Sequence, residues 1–185
     1  METRENGLRQ GGKLKIGPVI REFSSSDDGV ALTELLHRAY AVRAAAGLKF
    51  TATYQAPEHT LRRISKGRCF VVEDDGKIVG TLCLFFPESD SPVEFYRDPS
   101  TCHFGRYGVE PACKGRGIGR ALHDHIVNHA AALGGTRMAL DTAAPAADLV
   151  AMYGRWGYAE AGRFQRGQVN DESVIMARGI GARVG

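Results

Sequence analysis

Apolar residues recur along this chain at two spacings, every second residue or every third to fourth, and the changes between them mark out the elements. Val19 to Phe23 reads as a short strand. Ser24, Ser25, Ser26, Asp27 and Asp28 then offer capping oxygens to a helix whose stripe is Leu32, Leu35 or Leu36, Ala39 and Val42, and Gly47 stops it. Pro57 opens a short helix through Leu61 and Ile64 to Gly67. Arg68 to Glu73 and Lys77 to Phe86 predict a hairpin across Asp74-Asp75-Gly76, because an Asp-Gly pair accepts the positive φ of a tight turn. Two loops flank these elements, Leu48 to Pro57 and Pro87 to Ser100.

In the second half, Thr101 to Val109 reads as a strand in which Gly105 and Gly108 predict a bulge or a close backbone approach. A helix from Ile118 to Leu133 follows, with Ile118, Leu122, Ile126, Ala130 and Leu133 on one face and Gly134-Gly135 ending it. Arg137 to Thr142 is a strand, Ala147 to Trp156 a helix closed by Gly157, and Tyr158 to Phe164 with Ser173 to Ala177 the last hairpin. Strands that alternate with helices and then pair as hairpins predict an α+β fold, a mixed sheet with helices on both faces.

A chain of 185 residues is about one domain. Residues 18–180 carry the pattern, between a loose polar N-terminal tail (1–17) and a short C-terminal one (181–185). With 43% apolar and 24% charged residues, wholesale disorder is excluded. Ile78 to Phe86 is the longest apolar run, well short of the roughly 20 residues that cross a bilayer. The N-terminus lacks a signal-peptide core, so a cytoplasmic protein without a membrane partner is expected. Four cysteines, Cys69, Cys83, Cys102 and Cys113, form no Cys-x-x-Cys pair, which argues against a zinc ribbon or a redox dithiol. His125 and His129 are spaced as in a zinc helix, but Ile126 stands where the glutamate would be, and no metal is expected.

Charge narrows the ligand. Two of the three net positive charges lie in residues 1–16, so the body is nearly neutral, which argues against a nucleic-acid footprint. Between Gly105 and Arg120, however, Arg106, Lys114, Arg116 and Arg120 face one acid, Glu110. That concentration predicts one small anionic ligand. Lys114-Gly115-Arg116-Gly117-Ile118-Gly119 leaves main-chain N–H groups uncovered where a strand gives way to a helix, a site suited to a pyrophosphate. A P-loop is excluded, since no G-x-x-x-x-G-K-[ST] occurs. A dinucleotide fingerprint, for which Asp141 lies at the ribose distance, would put Arg120 or Leu122 in its third glycine position, where both are too bulky.

Tyr107-Gly108-Val109-Glu110-Pro111 followed by Lys114 to Gly119 resembles the GNAT superfamily of acetyl-CoA-dependent N-acetyltransferases, whose signature is V-x-P, then [QR]-x-x-G-x-[GA], then a helix. Tyr153-Gly154-Arg155-Trp156-Gly157-Tyr158 is similar to the family's Y-x-x-x-G-[FY] element, and the element order agrees over residues 18–180. Two positions depart from the pattern: Lys114 replaces Gln or Arg, and Ala146 stands where an Asn often touches the pantetheine arm.

The resemblance implies a twisted, mostly antiparallel sheet of six to seven strands whose fourth and fifth strands are parallel and splayed. It implies transfer of an acetyl group from acetyl-CoA to an amine by direct attack in a ternary complex. Tyr107, Gly108, Val109, Lys114, Gly115, Arg116, Gly117, Ile118, Gly119 and Arg120 would bind the cofactor, with Arg116 and Arg120 reaching the phosphates. Tyr153 would be the general acid, and Glu110, or in its place His103, the base. The acceptor would be a small-molecule or peptide amine between loop walls bearing Tyr40, Phe50 and Tyr54, with Glu94 drawing its ammonium; a homodimer stays open. Two other roles compatible with the loop are a non-catalytic acyl-CoA sensor and a tRNA-directed acetyltransferase toxin, the latter at odds with the neutral body.

Overall fold

The computed structural model describes residues 17–165 and 172–181; most of both expected tails and the final turn lie outside them. Seven strands form one sheet: β1 (Val19–Glu22), β2 (Arg68–Asp74), β3 (Lys77–Phe85), β4 (Thr101–Val109), β5 (Arg137–Ala143), β6 (Ala159–Gln165) and β7 (Glu172–Gly179). Their order is β1-β2-β3-β4-β5-β7-β6, and every neighbouring pair is antiparallel except β4 and β5. Four helices among the described residues accompany them: α1 (Gly29–Ala45), α2 (Pro57–Ile64), α3 (Ile118–Ala132) and α4 (Ala147–Arg155). The loops also hold single 3-10 turns at Thr51–Thr53, Glu94–Arg97 and Pro111–Cys113, which hydrophobic spacing does not reveal. No helix among the described residues is long and apolar enough to cross a membrane.

The strands' period of two sorts side chains to the two faces. Phe70, Val72, Leu82, Leu84, Phe104, Met138 and Leu140 pack with α3 and α4. Cys69, Val71, Cys83 and Phe85 pack with Leu32 of α1 and Ile64 of α2. Ile118, Leu122, Ile126 and Ala130 are buried as the α3 stripe requires, but Leu133 follows the helix end and is 57% exposed. The hairpin turn has Asp75 at φ 49° and Gly76 at φ 73°, as the Asp-Gly pair predicts.

Asp28 caps α1 by accepting from the N–H groups of Val30 and Ala31. Asp27 instead receives the Arg21 guanidinium at 2.7 Å, and Arg21 also reaches Glu73 at 2.8 Å, tying β1 and β2 to the start of the helix. The hydrogen bonds from Arg21 lower the Asp27 pKa to about 2. A lowered carboxylate pKa stabilises the fold above its unfolded value near 4, and the contribution disappears as pH falls through about 2. Asp27→Asn is therefore expected to cost about 1 kcal/mol at neutral pH, after screening, and progressively less as pH falls, read from denaturant midpoints.

The sheet opens in its middle. β4 pairs with β5 only through Thr101–Arg137, Cys102–Met138 and His103–Ala139. Beyond His103, β4 stays on β3 as far as Val109, and β5 stays on β7 as far as Ala143, so the two parallel strands part. One residue of β3, Leu82 between Thr81 and Cys83, lies opposite two of β4, Arg106 and Tyr107 between Gly105 and Gly108, and Arg106 in this bulge has φ 52°. At Gly108 a Cβ would come within 3.2 Å of Leu36 and Ala39, so its absence lets α1 close on the sheet.

Candidate active site

The loop after β4 turns on Gly115 (φ 79°) and Gly117 (φ 77°), and α3 begins at Ile118 with no side-chain cap. The first N–H groups of such a helix have no intrahelical acceptor and carry the positive end of its dipole. A Cβ on Gly115 or Gly117 would meet nothing within 4 Å, so nothing crowds the loop at these two positions. The loop therefore fits a diphosphate by shape and by donor chemistry.

Gly119 has a different reason. A Cβ there would overlap the hydroxyl of Tyr107, whose ring meets Trp156 edge-on at 6.2 Å. Gly119→Val is expected to destabilise the protein by about 1–3 kcal/mol through overpacking and to weaken acetyl-CoA binding, checked by thermal melts and calorimetry.

The expected cations divide. Arg116 is held by Asp74 at 2.7 Å, and Arg120 by Asp124 at 2.9 Å with its guanidinium over Trp156. Lys114 makes no ion pair among the described residues and is exposed.

Tyr153 lies on α4, 5% exposed, with its ring edge-on to Phe104, Trp156 and Tyr158 at 5.8, 5.8 and 6.1 Å. Burial above all, then the neighbouring Tyr40 and Tyr107, push its phenol well above the usual value, so it holds its proton. Its hydroxyl makes no hydrogen bond among the described residues, yet it is not one of the sealed, unpartnered polar atoms.

Glu110 is gripped by Arg38 of α1 in a forked contact, Nη2 to Oε2 at 2.9 Å and Nε to both oxygens at 3.1 and 3.2 Å, rather than by Arg106.

Where β4 and β5 part, a cavity of about 290 Å³ opens. His103 lines it, stacked between Tyr96 (3.9 Å between ring centres, 3° between planes) and Phe85 (5.2 Å, 21°). The Tyr96 hydroxyl donates to Asp141 at 2.9 Å. Tyr40 and Phe50 form a wall as expected, whereas Tyr54 is 63% exposed and neither it nor Glu94 reaches the lining. Among the described residues, the acids that do are Asp141 and Glu88, and the cations are Lys49, Arg63, Lys66 and Arg106. Tyr96 enters on a 3-10 turn, so periodicity does not place it; Asp141 stands out in the sequence only on its strand and at the ribose distance of the dinucleotide fingerprint excluded above.

The histidines of α3 are structural. His123 is fully buried between the Tyr158 hydroxyl at 2.9 Å and Asp124 at 3.0 Å, and burial lowers its pKa. His125 and His129 flank Phe70, and no group of three metal-ligating side chains occurs among the described residues.

A parted parallel pair, an uncovered glycine loop after the first strand and a cavity at the fork coincide with a match of residues 31–158 to the model of the acetyltransferase (GNAT) family. The chain belongs to this family. GNAT proteins transfer acetyl groups from acetyl-CoA to amines, and the splayed sheet with helices on both faces expected from the motifs is the one observed. A curated relative, S-(2-succino)cysteine N-acetyltransferase of Bacillus subtilis (strain 168), is 29% identical over 145 residues, covering 76% of this chain and 84% of the relative. Among solved structures, the ribosomal-protein-S18-alanine N-acetyltransferase of Escherichia coli superposes with a TM-score of 0.64 at 19% identity, over 89% of this chain and 94% of that one. A Salmonella typhimurium acetyltransferase solved with acetyl-CoA gives 0.64 at 17% identity, over 92% and 98%. At those identities the superpositions establish the fold.

Proposed function

We propose that this GNAT protein acetylates the amine of a small, carboxylate-bearing amino acid, with acetyl-CoA and acceptor bound together. The supporting observation is that the uncovered amide loop and the acceptor cavity both open off the strands that part after His103. Acetyl-CoA supplies the acetyl group already activated as a thioester. The N–H groups of Ile118, Gly119 and Arg120, with Lys114 beside them, hold its diphosphate, while Arg116 and Arg120 stiffen the loop through Asp74 and Asp124. Main-chain groups of Tyr107, Gly108 and Val109 run along the β4 edge from which β5 has departed and receive the pantetheine amides. As the new C–N bond forms and the C–S bond breaks, Tyr153 gives its proton to the sulfur. The amine proton goes to His103, which lines the acceptor cavity; Glu110, committed to Arg38, ties α1 to the start of the cofactor loop.

The acceptor class follows from charge. Among the described lining residues Lys49, Arg63, Lys66 and Arg106 are cationic and Glu88 and Asp141 acidic, a mixed lining that suits an acceptor carrying carboxylates as well as an amine. S-(2-succino)cysteine, the compound named in the relative's activity, is such a molecule, with carboxylates at both ends and one amine. The test is incubation with acetyl-CoA and S-(2-succino)cysteine, following thiol release and the acetylated amine by mass spectrometry. Turnover supports the reading; no product from it or from other carboxylate-bearing amino acids overturns it.

A further inference from the structure

Thr142 lies on β5 beyond the point where that strand leaves β4, and it pairs with Val174 of β7 on its other side. It is 4% exposed, and its hydroxyl is sealed from solvent with no hydrogen-bond partner among the described residues. Burying a hydroxyl in that state is costly, and valine, of nearly the same shape and well suited to a strand, would avoid the cost. The direction of the side chain narrows what would satisfy it. Successive side chains of β5 alternate, so Thr142 shares a face with Met138 and Leu140, which pack with α3 and α4. Phe85, Tyr96, His103 and Asp141 line the cavity from the opposite face. Thr142 and Phe104 also line it, and from their face they do so across the gap between the parted strands. Phe104 in turn meets the Tyr153 ring edge-on at 5.8 Å. The unsatisfied hydroxyl therefore borders the passage that joins the Tyr153 side of the sheet to the acceptor cavity.

We propose that Thr142 is a cofactor-binding residue, its hydroxyl donating to the carbonyl of the pantetheine amide nearest the sulfur. This rests on the proposed placement of the arm along the β4 edge. Main-chain groups of Tyr107, Gly108 and Val109 then hold the arm from one side of the passage, and Thr142 holds it from the other. The amide suits this donor better than the thioester does. Resonance with nitrogen places more electron density on a carbonyl oxygen than resonance with sulfur, so the amide is the stronger acceptor. Rotation about the Cα–Cβ bond, between staggered positions, turns Oγ1 from its covered place towards the arm.

The experiment compares wild type, Thr142→Val and Thr142→Ser by calorimetry with acetyl-CoA, with CoA, and with 3′-phospho-ADP, which keeps the diphosphate but lacks the arm. Valine fills nearly the same volume and removes an unsatisfied group, so the free Thr142→Val protein is expected to melt no lower than wild type. Its dissociation constants for acetyl-CoA and for CoA are expected to rise by the same factor, about threefold to tenfold. The constant for 3′-phospho-ADP should not change, and Thr142→Ser should recover most of the affinity for both CoA forms. Equal affinities in wild type and Thr142→Val, the result if a buried water satisfies the hydroxyl, overturn the proposal. A loss confined to acetyl-CoA moves the hydroxyl to the thioester and overturns it too, as does a loss shared by 3′-phospho-ADP, which places the disturbance outside the arm. A Thr142→Val protein that melts lower had a hydroxyl already partnered in the free state, which also counts against the proposal. A wild type that binds neither acetyl-CoA nor CoA overturns the cofactor reading itself, and the assignment of Thr142 with it.

Discussion

Replacing Gly117 by aspartate is expected to raise the acetyl-CoA dissociation constant at least a hundredfold, by about 3 kcal/mol or more. Gly117 is the last residue before α3, at φ 77°, and a Cβ there meets no atom within 4 Å. A carboxylate would extend into the space over the helix's first N–H groups, engage them itself and repel a diphosphate. The left-handed backbone costs any L residue about 1–2 kcal/mol, so Gly117→Ala is the control for strain without charge. Aspartate is otherwise favourable beside a helix N-terminus, and α3 is anchored by its buried stripe, so the variant should fold. Isothermal calorimetry gives the answer directly. A large loss in the aspartate variant and a small one in the alanine variant supports the anion loop; equal affinities in all three proteins remove it.

Local chemistry explains why this loop could be read from the chain. Glycines whose φ must be positive, the Asp75-Gly76 turn and the helix ends each depend on neighbours within a few residues. Interactions across long loops were not visible in that way. Arg38 and Glu110 are 72 positions apart, and nothing near Glu110 announces that its carboxylate is committed. Arg116 and Asp74 meet across 42 positions for a similar reason, because the β2–β3 turn is carried up against the cofactor loop. The acceptor cavity is built almost wholly from such encounters: Tyr96 on a single 3-10 turn stacks on His103 of β4 and bonds Asp141 of β5. Spacing also overshoots within a helix. Val42 continues the α1 stripe in the sequence but is 53% exposed, and the buried residues of α1 all lie in its first half, at Leu32, Thr33, Leu35 and Leu36.

Tyr153→Phe is expected to lower kcat about a hundredfold, within the range for loss of a general acid, with acetyl-CoA affinity little changed. The substitution isolates the proton. Phenylalanine keeps the ring contacts with Phe104, Trp156 and Tyr158, and the lost hydroxyl leaves no partner unsatisfied among the described residues, so stability should be nearly constant. Burial makes Tyr153 a weaker acid than a phenol in water. The departing sulfur forms in the same desolvated surroundings, which raise its proton affinity as well and restore the match between donor and acceptor. Because the phenol is pushed upward, wild-type kcat should show no alkaline decline through the ordinary phenol range near pH 10 for as long as the protein stays folded. Steady-state kinetics from pH 6 to pH 10, beside calorimetry with acetyl-CoA, separate the outcomes. A Phe variant with wild-type kcat across that range would show that the sulfur leaves without a proton from Tyr153. A variant slowed only through weaker acetyl-CoA binding would make Tyr153 a cofactor contact.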